Sequence, residues 1–180
     1  MSCKANMRGA LIEKRKALSK KRREEAAFLA TRKLLEELVG FSHVLSFASK
    51  PEEINLWPLN EVLAKEGRLL LPRLISEDTF YPYAVKDLDK GLVPHHKWKV
   101  FEPNPELCTP FPLDQISAVL VPGVGFDKKK GRIGFGKGYY DRFLARLSCP
   151  FFGVGFKEQL LSSPIPHEPH DVSLTEIFLF

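Results

Sequence analysis

The spacing of hydrophobic positions changes several times along the chain, and each change marks an element. From Lys4 to about Val39 there is no proline and a single early glycine, and Met7, Leu11, Leu18, Phe28, Leu34, Leu35 and Leu38 recur at helical spacing. Two helices with a break near Ser19 are predicted, the serine oxygen being suited to accept a free backbone N–H at the start of the second. Gly40 marks a helix end, and the short, β-rich His43–Ala48 (H-V-L-S-F-A) reads as a first strand. Pro51, Glu52 and Glu53 predict a helix running through Ala64, with proline in its first turn and acids near its positive end. Gly67 ends it. Arg68–Pro72 reads as the second strand and the proline-interrupted Thr79–Val85 as a strand nearer an edge. Residues Gly91–Pro112 are rich in proline and predict loop, whereas Ile116–Val121 (I-S-A-V-L-V) is an apolar run suited to a buried parallel strand. A helix over Tyr139–Leu147 and strands over Phe151–Phe156 and Val172–Phe180 complete the pattern.

Strands alternating with helices predict an α/β fold: a single-domain, open, mostly parallel sheet with helices on both faces. At 180 residues, 44% of them hydrophobic, the whole of 1–180 is expected to share one core. In such sheets ligands bind beyond the carboxyl ends of the strands, so chemistry is sought there.

Composition narrows the setting. Cys3, Cys108 and Cys149 are far apart and form no C-x-x-C pair, which disfavours a disulfide framework or a thiolate zinc site and fits a reducing cytoplasm. No apolar run approaches the roughly 18 to 20 residues that span a bilayer, and the N-terminus lacks the apolar core of a signal peptide, so a cytoplasmic protein without a membrane partner is expected. The net charge of +5 is concentrated between Lys14 and Arg23. It favours anionic partners, and phosphate ligands, carboxylate ligands, nucleic acid or simple solvation of a basic helix face all satisfy it.

The most informative stretch is Val121–Leu144, V-P-G-V-G-F-D-K-K-K-G-R-I-G-F-G-K-G-Y-Y-D-R-F-L. Directly after a buried strand it supplies Gly131, Gly134, Gly136 and Gly138, interleaved with Arg132 and Lys137, and then enters a helix. Glycines let the backbone approach an anion, exposed N–H groups favour negative charge, and the two cations add Coulomb attraction. Gly131–Lys137 fits G-x-x-x-x-G-K, but Gly138 stands where a P-loop has the Ser or Thr that holds magnesium, which disfavours a P-loop NTPase. Asp141, one turn beyond, offers hard oxygen to Mg²⁺ beside phosphates, or else simply suits a helix N-terminus. His167-x-x-His170-Asp171 has zinc-like spacing, but Pro166 and Pro169 bar the regular helix that would present both histidines.

The run G-x-G-x-G-Y-Y-D-R-F preceded by P-G-V-G-F-D resembles the signature of 5-formyltetrahydrofolate cyclo-ligases. Lys4-x-x-Met7-Arg8 is similar to that family's K-x-x-L-R, Pro51–Asn55 to its P-x-E-V-x segment, and Leu71-Pro72-Arg73, Trp98-x-Val100-x-x-Pro103 and Pro166–Val172 also find counterparts. The resemblance implies that Lys4 and Arg8 contact ATP phosphates, and that Arg132, Gly134, Phe135, Gly136, Lys137, Gly138, Tyr139, Tyr140 and Asp141 line the nucleotide site, with Lys137 and Arg132 as the catalytic cations. It implies Asp141 and Asp171 as Mg²⁺ ligands, and Glu53, Trp98 and Tyr139 at the folate. The residues themselves leave Glu53 open as a first-turn helix acid and Trp98 as a lid over the core. Three departures stand out. Phe135 occupies a position where some members carry a basic residue, Met7 replaces leucine, and Ser173-Leu174-Thr175 replaces the frequent P-V-D.

The implied reaction explains the residue types. A formamide oxygen is a poor leaving group, so it is first phosphorylated by ATP; the neighbouring N10 then closes the methenyl bridge and phosphate departs. The protein positions and neutralises charge without a nucleophile of its own. The expected partners are ATP and 5-formyltetrahydrofolate, polyglutamylated or not, with Mg²⁺ as cofactor, acting on a monomer. The rivals are a nucleic-acid-binding module using the basic helices, poorly supplied with stacking aromatics; a folate-storage protein without catalysis; and another ATP-dependent kinase or ligase on the same architecture.

Overall fold

The computed structural model describes residues 3–77, 79–95 and 100–180. Helices α1 (Cys3–Lys16) and α2 (Lys20–Glu37) come first, followed by strand β1 (Val44–Leu45), helix α3 (Trp57–Lys65) and strands β2 (Leu69–Leu74) and β3 (Phe80–Ala84). Short strands β4 (Leu92–Pro94), β5 (Phe101–Pro103) and β6 (Thr109–Pro110) lead to β7 (Ala118–Pro122), β8 (Gly125–Asp127) and β9 (Arg132–Ile133). Helix α4 (Tyr139–Leu144) and strands β10 (Phe151–Gly155), β11 (Leu160–Leu161) and β12 (Glu176–Leu179) complete the chain.

Among the described residues, seven strands form the main sheet in the order β12-β10-β7-β1-β2-β3-β6. The five from β12 to β2 are parallel, and β3 and β6 add an antiparallel edge. Strand β1 is only two residues long yet central, because both its edges are paired: Val44 is in register with Leu69 on one side and Ala118 on the other. Alternation along the strands divides the core. Val44, Leu69, Leu71, Ala118, Leu120 and Val154 face α2 (Ala26, Ala30, Leu34) and α3 (Leu59, Leu63). Leu45, Leu70, Val119 and Val121 face α4 (Phe143, Leu144) and Phe126. Helix α1 instead lays Leu11 on the small sheet β11-β8-β9, against Val124, Ile133 and Ile165.

Ser19 caps α2, its Oγ accepting the Arg22 N–H at 3.2 Å. The structure corrects four predicted spans. Pro51–Glu53 opens a turn, closed by Glu53 N–H to Lys50 O at 2.9 Å, and α3 begins only at Trp57 with Pro58 in its first turn. A helix begun at Pro51 would carry Pro58 inside it, where proline lacks the N–H for the helical ladder and its ring clashes with the preceding turn. The Gly91–Pro112 segment is not all loop: β4 and β5 pair with each other and β6 pairs with β3. Helix α4 is also shorter than predicted, ending at Leu144, and β12 starts at Glu176. Among the described residues, no helix is long and apolar enough to cross a membrane.

The chain leaves β1 for β2 on one side and later returns to β7 on the other. The carboxyl ends of β1 and β7 therefore diverge, and a crevice opens between their exit loops.

Candidate active site

That crevice is a cleft of about 550 Å³. Segments far apart in the chain line it, among them Lys4 and Arg8 on α1, Lys50 and Glu53 after β1, the glycine loop from Gly134 to Gly138 with the start of α4, and Glu168, His170 and Asp171. Lys4 and Arg8 lie on the same helical face as Leu11, two turns and one turn nearer the N-terminus, so the docking of Leu11 on the small sheet carries them to the loop.

Each α1 cation meets a distant partner. Lys4 Nζ lies 2.7 Å from Asp171 Oδ2 and 3.4 Å from Glu168 Oε1. Burial alone would lower the Lys4 ammonium, but Asp171 and Glu168 hold it above the usual lysine range. Burial likewise works to raise Asp171, and Lys4, the Glu168 N–H and His170 outweigh it, so its carboxyl sits below the usual range. Arg8 Nε donates to Gly134 O at 2.7 Å, and its guanidinium lies against bare backbone: a Cβ at Gly136 would be 3.3 Å from Arg8 Nη2. Gly136 and Gly138 have φ of +92° and +66°, a region side chains disfavour, so the loop needs glycine there for its turn as well as for the close approach.

Arg132 Nη2 pairs with Asp141 Oδ2 at 2.9 Å, its side chain only 5% exposed. Its Nε is buried without an acceptor among the described residues, and its guanidinium carbon lies 5.6 Å from the centre of the Tyr140 ring. The Tyr139 hydroxyl donates to Glu77 O, tying the start of α4 to the β2–β3 turn. Lys137 lines the cleft, and its carbonyl accepts from Arg142 Nη1 at 2.9 Å.

Glu53 accepts the Lys50 N–H at 3.0 Å. Burial of its carboxyl in the cleft raises it above the ordinary glutamate range, only partly offset by that N–H and by the charges of Lys50 and Arg15. The Tyr140 phenol is also pushed well up, first by burial and then by the charge of Glu53. Glu53 and Tyr140 thus share one poorly hydrated corner of the cleft.

The structure gathers nearly all the residues singled out in the sequence: Lys4, Arg8, Glu53, Arg132, Gly134, Phe135, Gly136, Lys137, Gly138, Tyr139, Tyr140, Asp141 and Asp171 line one cleft. Trp98 lies outside the described residues. Because Glu53 sits in a turn, it is not the first-turn helix acid that its neighbours predict. Glu168, His170 and Asp171 come within 4.8 Å of one another, His167 is outside that group, and Lys4 sits on two of its members. The Ser173-Leu174-Thr175 departure is structural: Leu174 N–H bonds Lys130 O, and Thr175 Oγ1 accepts the Phe151 N–H. Sequence reasoning missed Lys50, Glu102 and Arg15. Lys50 follows the predicted first strand closely enough for the carboxyl-end rule to have found it. Glu102, buried against Arg73 at 3.0 Å, and Arg15, buried in the last turn of α1, carry no sequence signal.

Cations converging on a glycine loop at the switch point of a parallel sheet, beside a desolvated carboxyl, give this α/β fold a cleft suited to an anionic ligand. The chain belongs to the 5-formyltetrahydrofolate cyclo-ligase family, whose sequence model matches residues 1–179. It is 26% identical to the 5-formyltetrahydrofolate cyclo-ligase of Mus musculus over 98% of this chain and 93% of that one. To the enzyme of the same name from Mycolicibacterium smegmatis it is 27% identical over 97% and 92%. Among solved structures, the Aquifex aeolicus 5,10-methenyltetrahydrofolate synthetase superposes with a TM-score of 0.86 at 28% identity, covering 98% of this chain and 89% of that one. The Mycoplasma pneumoniae synthetase gives 0.77 at 26%, covering 98% of each.

Proposed function

We propose that this protein closes 5-formyltetrahydrofolate to 5,10-methenyltetrahydrofolate at the expense of ATP and with Mg²⁺, as a cytoplasmic monomer. The observation that carries the reading is the meeting of Lys4, Arg8 and Arg132 at one glycine loop beside Glu53. The loop and cations suit a polyphosphate, and Glu53 suits a flat heterocycle with N–H donors, the pterin of the folate.

The formyl oxygen attacks the terminal phosphorus of ATP and ADP leaves, giving an imidate phosphate. N10 attacks the activated carbon, loses its proton, and the carbon–oxygen bond breaks to release inorganic phosphate. Arg8 and Arg132, fixed by Gly134 O and Asp141, hold phosphate oxygens with little reorganisation, and Lys137 adds charge at the transferring group. Tyr139 and Trp98 would flank the folate rings. Asp141 and Asp171 fit a magnesium site: both supply hard oxygen, and in each the oxygen outside the ion pair is only weakly engaged, by Val172 N–H at 3.4 Å and by His170 at 3.9 Å. When bound there, the ion would offset phosphate charge.

The test is absorbance at the methenyl-folate band after mixing protein, 5-formyltetrahydrofolate and Mg²⁺, with and without ATP. A rise that requires ATP is expected. Folate binding with no rise would replace this reading with a storage role.

A further inference from the structure

The cleft cations differ in how their charge is engaged. Lys4 rests on two carboxylates, Arg132 on Asp141, and Arg8 on a loop carbonyl. Lys50 differs from all three: its Nζ lies over the Phe135 ring, 5.3 Å from the centroid, and no carboxylate of the described residues is within ion-pair distance. An aromatic face attracts an ammonium but accepts few of its N–H donors, so the group is steered without being satisfied. A second cation stands behind it. Arg15 Cζ is 5.6 Å from the same ring centre, the residue is 3% exposed, and its Nε is buried with no acceptor among the described residues. Two positive groups thus converge on a neutral ring. Glu53, whose charge reaches both, is itself disfavoured as a carboxylate by burial.

Position decides what the pair awaits. Phe135 is in the glycine loop, Lys50 is in the segment that follows the central strand β1, and Glu53 is bound to the Lys50 backbone at 3.0 Å. Lys50 therefore stands between the loop that suits the nucleotide phosphates and the acid that suits the folate. Resting on the function proposed above, we infer that Lys50, held over Phe135 and backed by Arg15, is a further catalytic cation that binds the terminal phosphoryl group as it passes to the formyl oxygen. Its fold role lies in its backbone, whose N–H donates to the Glu53 carboxylate and whose carbonyl accepts the Glu53 N–H, and any residue but proline supplies both, so the side chain can be changed without opening the turn.

The experiment compares Lys50→Met and Lys50→Arg with wild type in ATP-dependent methenyl-folate formation, with unfolding midpoints measured alongside. Lys50→Met is expected to lower kcat/KM for ATP by about 10- to 100-fold. The KM for the folate should move less than twofold and the midpoint should hold, while Lys50→Arg recovers most of the loss. Unchanged ATP kinetics, or a loss confined to folate KM, would overturn the inference, the latter assigning Lys50 to a folate carboxylate. A wild type without ATP-dependent turnover would sink the proposed function instead. Calorimetry with tripolyphosphate then still tests Lys50: weaker binding to Lys50→Met supports it, and equal binding overturns it.

Discussion

The segments that follow β1 and β7 each carry an acid, Glu53 in a turn and Asp127 at the end of β8, and the two acids are treated in opposite ways. After β7, Asp127 is 2% exposed and fully used: its carboxylate accepts Lys129 N–H at 2.8 Å, Gly131 N–H at 2.9 Å and Ile165 N–H at 2.6 Å. After β1, Glu53 accepts one N–H and is otherwise held in a dehydrated corner that raises its pKa. A saturated carboxylate closes a turn and fixes the glycine loop that follows it. An unsaturated one is a cost to the fold, which a ligand bearing N–H donors can relieve.

The largest effect expected from breaking this contrast is at the saturated acid. Asp127→Ala strands three backbone donors and should cost about 3 to 5 kcal/mol in denaturant unfolding. Lys137→Ala should leave the unfolding midpoint nearly unchanged but lose about 2 to 4 kcal/mol of transition-state stabilisation in kcat/KM, on the scale of one oxyanion donor. Equal loss of stability and turnover would return Lys137 to a structural part.

Glu53→Gln sharpens the comparison from the other side. Folate binding by calorimetry should weaken roughly 10- to 100-fold, the worth of a hydrogen bond to a charged group, while the fold becomes no less stable. The sign follows from the raised pKa. Below the unfolded value, about 4.3, the acid is protonated in both states and costs nothing. As pH rises toward and through the folded value the cost appears, so any stability gain of the variant should grow in that direction.

Asp171→Asn is the smallest effect. Its depressed pKa makes the Lys4 pair stabilising above the unfolded aspartate value of about 3.9, by about 1 to 2 kcal/mol. The difference from wild type should fade as pH drops through the still lower folded pKa, and a pH-independent difference would show that the pair is not its source.

What the sequence disclosed follows the range of the forces involved. The Ser19 cap, the apolar run of β7 and the glycine loop are local in origin and could be read directly. Pro51 misled because it obeys the same first-turn rule as Pro58, and only the second proline's incompatibility with a helix interior separates them. Strands of two or three residues such as β4, β5 and β6 have no period of their own and exist through their pairing partners. The Arg8–Gly134 and Lys4–Asp171 contacts span most of the chain, and although the glycine run marked Gly134, only a family resemblance anticipated Lys4, Arg8 and Asp171 as site members. Arg15 had no such guide and Lys50 only its place after the first strand, since what marks them is a ring more than 80 residues away and, for Arg15, burial.

On the function proposed above, these cations place a phosphoryl group on the formyl oxygen. That claim is tested most directly with 5-formyltetrahydrofolate carrying ¹⁸O in its formyl group. Turnover with ATP and Mg²⁺ should deliver that oxygen into the released inorganic phosphate, one label per molecule formed. Unlabelled phosphate, with the ¹⁸O recovered in water, would contradict the claim.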